Sequence, residues 1–443
     1  MITRTLTATS LAGESCFLWG PRQTGKSTLL RTLFPNAPAY DLLSSREFRR
    51  LSADPGVFAE ECAALADKRQ PVIVDEIQKL PSLLDEVHSL MSRRGLKFIL
   101  TGSSPRKLLR GGGNLLGGRA VRHDLLPLTS AEIPDLSLDK ALNRGLLPSH
   151  YLSDRATSRL AAYVGDYLRE EVLAEALTRN LPAFQRFLEA AALSNGQIVN
   201  AATISREIGV AANTVRGYFD ILVDTLIATW LPAWTKRTKR RVIQAPRFWF
   251  FDVGIVNELA RRGMISPGST DYGAAFEHFI FMELRAHATY SPRDTGLPVS
   301  YWRTASGIEV DFILGNAVWR WKRNRPIVQR AITSGACGPG RKSIRRAGAF
   351  SSAVPPEPGM PSRASRSFPG ASFSPASGKM RSAPADAPGW EIISQGCRSN
   401  LRKGTCLAPG SLGPISTSDA GAEAVATWMF HHVGDYFATH GRG

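Results

Sequence analysis

An α/β chain, with a parallel sheet flanked by helices and later helical and mixed domains, is the fold class this sequence predicts. Three observations carry it. Apolar, β-branched runs such as Pro71–Asp75 (PVIVD) and Lys97–Thr101 (KFILT) have the composition of strands buried on both faces. Helical stretches alternate with such runs over the first 130 residues, as crossover helices do between parallel strands. From 150 to 260 the apolar spacing switches to a helical period.

The elements follow in order. Ser15–Trp19 (SCFLW) is a buried strand leading into a glycine loop, and Gly25–Phe34 continues as a helix. Ala39–Leu43 is a short strand holding Asp41; Pro71–Asp75 and Lys97–Thr101 are the next strands, with a helix at Leu83–Arg94 between them. Tyr163–Leu177 and Phe184–Leu193 are amphipathic helices. Asn200–Leu222 spells a helix-turn-helix, with its turn at Gly209 and Asn213 suited to cap the second helix. Leu226–Trp230 and Arg247–Phe251 are candidate wing strands. A helix over Ala274–Ala288 and a β-hairpin over 300–314, turning at Gly307, complete the pattern.

Gly20-Pro21-Arg22-Gln23-Thr24-Gly25-Lys26-Ser27 matches G-x-x-x-x-G-K-[ST] between a strand and a helix, the setting of a phosphate-binding P-loop. The glycines let main-chain N–H groups close round phosphate oxygens, and the helix N-terminus adds a favourable dipole. Gly20, Gln23, Thr24, Gly25, Lys26, Ser27 and Thr28 are therefore the nucleotide-binding candidates here. Lys26 would place a compact charge at the β- and γ-phosphates, and Ser27 would offer its hydroxyl to Mg²⁺. Val72-Ile73-Val74-Asp75-Glu76 ends a strand in two carboxylates, 49 residues beyond Lys26. Asp75 is the second Mg²⁺ candidate and Glu76 the candidate general base for an attacking water; a solvated strand end is the plainer alternative. Thr101, Ser103 and Ser104 close the next strand in hydroxyls; one of them, with Ser103 the candidate, senses the γ-phosphate or fixes the water, or else the serines only cap a loop. Arg119, after Gly117-Gly118, is either an arginine finger acting on a neighbouring copy or a solvated loop residue.

The segments GPRQTGKST, PVIVDEIQKLP, KFILTGSS and LLGGRAVRHDLLPLTSAEI resemble bacterial and archaeal AAA-type ATP-binding proteins with a C-terminal domain of unknown function. The similarity extends over about residues 1–318. It implies an ATPase core at 1–149, a helical and winged-helix domain at 150–250, and a truncated, restriction-endonuclease-like domain at 251–318. It also implies ATP and Mg²⁺ as ligands. In that group an acid, a hairpin acid and a strand with E-x-K make up the last domain. Glu277, Glu309 and Asp311 supply the first parts here, and no E-x-K follows Asp311.

Residues 319–443 differ in kind. They hold 17 basic and 6 acidic residues, a net of +11 out of the chain's +17, and are rich in Gly, Pro and Ser without helical or strand period. Such composition does not bury enough apolar surface to offset ordering entropy. One reading is a basic, disordered tail for nucleic acid. The preferred one is a change of reading frame near Val318. Trp has the single codon TGG and Lys begins with AA, so reading from the third base across Trp321–Lys322 gives GAA, the missing glutamate. The restored segment can read V-A-V-E-A-K-S.

No run of about 18 apolar residues predicts a membrane helix, and five cysteines without a C-x-x-C pair predict neither a disulfide scaffold nor a zinc site. A cytoplasmic location is the default. The leading expectation is Mg²⁺-dependent ATP binding and hydrolysis that moves the winged-helix and C-terminal domains. The alternative is a DNA-binding regulator that uses residues 200–241, including Thr214, Arg216 and the run Lys236–Arg241, with ATP as a switch ligand. An ATP-coupled nuclease is third, and it lacks its last catalytic element in this chain. A protein client and a homo-oligomer complete the expected partners. Sequencing the locus in related strains should show a frame running through V-A-V-E-A-K-S; an intact frame encoding Trp321-Lys322 throughout would exclude the shift.

Overall fold

The computed structural model describes residues 2–319, apart from 66–68, 107, 109–115, 169–179, 235–242, 291–298, 306–308 and 315–316. The tail beyond 319, the frame change expected there, the basic run 236–241 and the hairpin turn at Gly307 lie outside the described residues.

Five parallel strands form the first sheet: β1 (Cys16–Trp19), β2 (Ala39–Asp41), β3 (Val72–Asp75), β4 (Phe98–Gly102) and β5 (Val121–Asp124), in the order β2-β3-β4-β1-β5. Alternation along each strand sends Phe17, Trp19, Val72, Val74, Phe98 and Leu100 into one core and Cys16, Leu18, Ile73 and Ile99 into the other. Helices α1 (Ala8–Ala12) and α2 (Lys26–Leu33) cover the second face through Leu11, Leu29 and Leu30. Helices α3 (Ser45–Ala53), α4 (Pro55–Ala63) and α5 (Leu83–Arg94) cover the first through Leu51, Phe58 and Val87. The α/β expectation is therefore met.

The sequence pattern missed β5 and the helices α3 and α4. β5 is an edge strand reading VRHD, with Val121 and Arg122 exposed, so it lacks the apolar run of its buried neighbours. The two helices start on local caps instead: Ser44 accepts from the amide of Glu47, and Asp54 accepts from Gly56 with Pro55 at the first helical position.

The chain continues through α6 (Leu138–Arg144), α7 (Pro148–Tyr151) and α8 (Ala156–Ala162) into a π-helical turn, Tyr163–Leu168. That turn stands where an ordinary amphipathic helix was expected from Tyr163; most of the rest of that expected helix lies outside the described residues. Helices α9 (Leu181–Leu193), α10 (Ala201–Ile208) and α11 (Ala212–Asp224) follow. Gly209 ends α10 at φ 73°, in the left-handed region, which confirms the expected turn. The expected cap is corrected: α11 begins after Ala211, and Asn213 sits inside the helix, where its Oδ1 accepts from Arg216 at 2.5 Å. Strands β6 (Gln197–Ile198), β7 (Ala228–Leu231) and β8 (Arg247–Phe250) form an antiparallel sheet in the order β6-β8-β7.

Helices α12 (Val253–Leu259) and α13 (Thr270–Tyr290) lead to β9 (Val299–Arg303), β10 (Glu309–Leu314) and β11 (Ala317–Trp319), an antiparallel sheet. Leu142 of α6 shares one core with Phe276 and Phe279 of α13, and with Tyr301 and Phe312 of the hairpin. The segment after the first sheet thus packs directly on α13.

Helix α13 also carries a buried carboxyl, Glu283. It accepts from Ser130 N at 2.9 Å and from Ser130 Oγ at 2.6 Å. Burial pushes Glu283 up to about 7, against the pull of those two bonds. A raised folded-state value means that the folded chain holds the proton more tightly than the unfolded chain. The stabilisation is full below about pH 4.5 and is lost as pH rises through about 7. Glu283→Gln should flatten that decline, by at most roughly 3 kcal/mol across the window. Denaturant unfolding of both chains from pH 4.5 to 8 measures the slope; equal slopes would show that Glu283 does not titrate there.

Candidate phosphate-binding site

The site is built where the carboxyl ends of β1, β3 and β4 meet, outside the sheet edge at which α/β folds place ligands. Gly20 closes on β4 through its amide, which donates to Gly102 O at 3.3 Å. A Cβ at Gly20 would stand 2.4 Å from the carbonyl oxygen of Leu125, so glycine is required for this approach. The loop then turns through two left-handed residues, Gln23 at φ 64° and Gly25 at φ 95°, before α2 begins at Lys26. A helix start leaves its first amides without intrahelical partners, and this turn gathers them at one point.

Lys26 is buried, with Nζ donating to the carbonyl oxygens of Gly20 at 2.7 Å and Pro21 at 3.2 Å. Thr24 is buried as well; its hydroxyl donates to Pro21 O at 2.9 Å, and Arg4 Nη1 donates to its carbonyl at 2.7 Å. Ser27 and Thr28 are exposed on the first turn of α2. Ser27 Oγ donates to Asp75 Oδ2 at 2.6 Å, and Thr101 Oγ1 donates to Asp75 Oδ1. The structure therefore joins the two Mg²⁺ candidates, Ser27 and Asp75.

Glu76, one residue on, is buried and left-handed at φ 60°. Its Oε2 accepts from Gln78 Nε2 at 2.5 Å and from Ser103 Oγ at 3.3 Å, and Gln78 Nε2 also donates to Ser103 Oγ at 3.0 Å. Gln78 Oε1 is buried without a hydrogen-bond partner. Ser103, the residue after β4, thus meets Glu76. Arg119 is elsewhere: it is exposed after the turn Leu116–Gly118, and its guanidinium meets His88 of α5.

The donor chemistry fits a nucleotide with Mg²⁺. A hydroxyl and a carboxylate are the hard oxygen ligands that Mg²⁺ takes alongside phosphate oxygens, without a dedicated all-protein cage. Among the described residues, no group of three or more His, Cys, Asp and Glu is arranged to hold a metal alone.

Two site residues, Gln78 and Arg4, escaped the sequence reading, and one of the strand-end hydroxyls proves to be a partner of Asp75. Thr101 is placed by register, since pairing of Val74 with Leu100 brings it beside Asp75. The only signal for Gln78 was its place two residues after Glu76. Arg4 had no local signal, because its partners lie 20 to 128 positions away.

The second domain also touches the loop. Ser149 Oγ donates to Gln23 Oε1 at 2.5 Å, and Tyr163 OH donates to Arg22 O at 3.4 Å. His150 packs edge-on against Tyr163 at 5.5 Å, and burial holds it down to about 4. In the later part of the chain, Arg247 joins Glu277 at 3.5 Å and also pairs with Glu309. Burial and then Asp311 raise Glu277, against the opposing pull of Arg247. Glu277, Glu309 and Asp311 are therefore neighbours, with Arg247 between the two glutamates. The position expected to supply the last catalytic element lies outside the described residues. His278 is buried, with Nε2 2.8 Å from Phe250 O, and burial pushes it down to about 3.

Residues 13–134 match the model of a family described as AAA domain. Residues 135–265 and 272–321 match two domains of unknown function, DUF8612 and DUF4143. The chain is 29% identical over 305 residues to the uncharacterized proteins Rv2008c of Mycobacterium tuberculosis and Mb2031c of Mycobacterium bovis, covering 66% of this chain and 66% of each relative. It thus spans about two thirds of the length of those relatives. Among solved structures it is similar to the Walker-type ATPase PABY2304 of Pyrococcus abyssi, at 17% identity and a TM-score of 0.39, covering 56% of this chain and 90% of that one. The AAA match and the five-stranded parallel sheet support a P-loop AAA-type ATPase domain that binds nucleotide.

Proposed function

We propose that this chain binds ATP with Mg²⁺ through residues 20–28 and Asp75, hydrolyses it with Glu76 as general base, and passes the nucleotide state to its later domains. The observation that carries this reading is the 2.6 Å bond from Ser27 to Asp75, formed between the residue after Lys26 and the residue before Glu76. Lys26 would leave its loop carbonyls for the β- and γ-phosphates. Mg²⁺ held by Ser27 and Asp75 would neutralise charge on the same oxygens. Glu76 would accept the proton of the attacking water, with Gln78 and Ser103 fixing the direction of its carboxylate. Arg119 is the proposed finger for a second copy, which makes a homo-oligomer part of the same proposal.

Transmission is supported by a contact beside Ser103. Ser104 Oγ donates to the carbonyl oxygen of Asp224 at 3.4 Å, and Arg106 pairs with the Asp224 carboxylate at 2.9 Å. Asp224 is the last residue of α11, the second helix of the helix-turn-helix. A shift at the end of β4 therefore has a short polar route to that helix. We take the unit of α10, α11 and the strands β6–β8 as a winged helix, serving a protein client whose identity is open. The cytoplasm is the proposed setting; among the described residues no helix is long and apolar enough to cross a membrane.

Lys26→Ala should abolish MgATP binding, whereas Glu76→Gln should bind MgATP normally and turn it over at least about a hundredfold more slowly. Equilibrium binding and phosphate release measure the pair; wild-type turnover in either variant would overturn the assignment.

A second reading, DNA binding, is favoured by the exposed Asn213, Thr214 and Arg216 on α11. Duplex DNA should then bind the whole chain with an affinity that falls steeply between 50 and 200 mM salt, and Arg216→Ala should weaken it. Because the tail carries a net +11, binding untouched by Arg216→Ala would assign it away from α11, to the run Lys236–Arg241 or the tail.

A further inference from the structure

We infer that Arg4 is a positioning residue of the phosphate loop, setting the direction in which the amide of Gly25 points. The inference rests on the phosphate-binding reading above. Arg4 stands 20 residues before its main partner and is almost fully buried, with its side chain 7% exposed. Its guanidinium is used on three sides. Nη1 donates to Thr24 O at 2.7 Å, Nη2 donates to Leu126 O at 2.7 Å, and Nε lies 3.0 Å from Glu132 Oε1. Glu132 is itself fixed: Oε1 accepts from Thr5 N at 2.7 Å, and Oε2 accepts from Thr129 N at 3.1 Å.

Planarity of the peptide bond gives this clamp its consequence. The carbonyl of Thr24 and the N–H of Gly25 belong to one trans peptide plane and point in opposite directions. Drawing the carbonyl toward Arg4 therefore turns the Gly25 N–H away from it, toward the cradle that the loop encloses. Gly25 sits at φ 95°, where a glycine has many competing conformations, so an external hold on that plane selects one. Arg4 also ties the loop to α13, because the amide of Leu126, next to the same guanidinium, donates to Tyr290 OH at 2.8 Å.

Only a planar fork reaches two carbonyls and a carboxylate at once. A lysine keeps the charge and loses that geometry. The test is titration of a fluorescent MgADP analogue into the whole chain, in the wild type and in Arg4→Lys, Arg4→Gln, Glu132→Gln and Lys26→Ala. Circular dichroism monitors folding, and amide hydrogen exchange is followed at residues 20–28. Arg4→Lys should weaken MgADP at least about tenfold and speed exchange at Gly25 and Lys26 while the β-sheet amides stay protected. Glu132→Gln, which keeps the bond to Thr24, should fall between the two. Binding within twofold of wild type by Arg4→Lys, with Lys26→Ala inactive in binding, would overturn the role of Arg4 alone. Wild-type binding by Lys26→Ala would overturn the phosphate-loop reading and this inference with it. Should Arg4→Gln fail to fold, Arg4→Lys decides.

Discussion

A helix that starts directly after a buried strand leaves amide groups without partners at its first turn, and residues 20–26 gather those of α2 at the carboxyl edge of the sheet. This is possible because Gly20 fits against Leu125 and because Gln23 and Gly25 adopt left-handed backbone conformations. The parallel order β3-β4-β1 then sets what surrounds them. Asp75 and Glu76 arrive from β3, Thr101 and Ser103 from β4, and Ser27 from the helix itself. None of these side chains is near the others in sequence except in pairs, so the sheet assembles the site.

The rest of the chain leans on the same edge from two directions. Arg4, Glu132, Ser130 and Glu283 form a buried polar series between the phosphate loop and α13. Ser149 and Tyr163 touch the loop from the helical segment, while Arg106 holds the end of α11 beside β4. These contacts join the phosphate-loop edge of the sheet to both later segments of the chain. Asp252 fastens the middle of the chain in the same way. It is fully buried, accepts from Leu146 N at 2.7 Å, and is raised by burial to about 6.

Much of the first domain was legible in the sequence because its inner strands are apolar runs and its loop needs particular residues at fixed spacing. Cys16–Trp19, Val72–Asp75 and Phe98–Gly102 fall within a residue or so of where composition placed them. β5 was not legible, because an edge strand half in solvent does not need apolar residues. Asn213 misled because it has the chemistry of a cap, while the helix started a residue earlier, at Ala212. Arg4, Thr101 and Gln78 act through tertiary contacts, and single-sequence periodicity carries no information about those. Glu277 and Asp311 were named as nuclease acids; the fold brings them together but sets Arg247 among them. The composition break near Val318 has a counterpart in the family matches, the last of which ends at residue 321.

Thermal unfolding of the intact chain with adenine nucleotides of increasing phosphate number asks most directly whether the loop grips phosphate. With Mg²⁺ present, ATP and ADP should raise Tm by several degrees at concentrations where AMP has little effect, since a ligand bound only to the folded state stabilises it by mass action. An equal shift with AMP, or no shift with any of the three while the protein remains folded, would contradict the account.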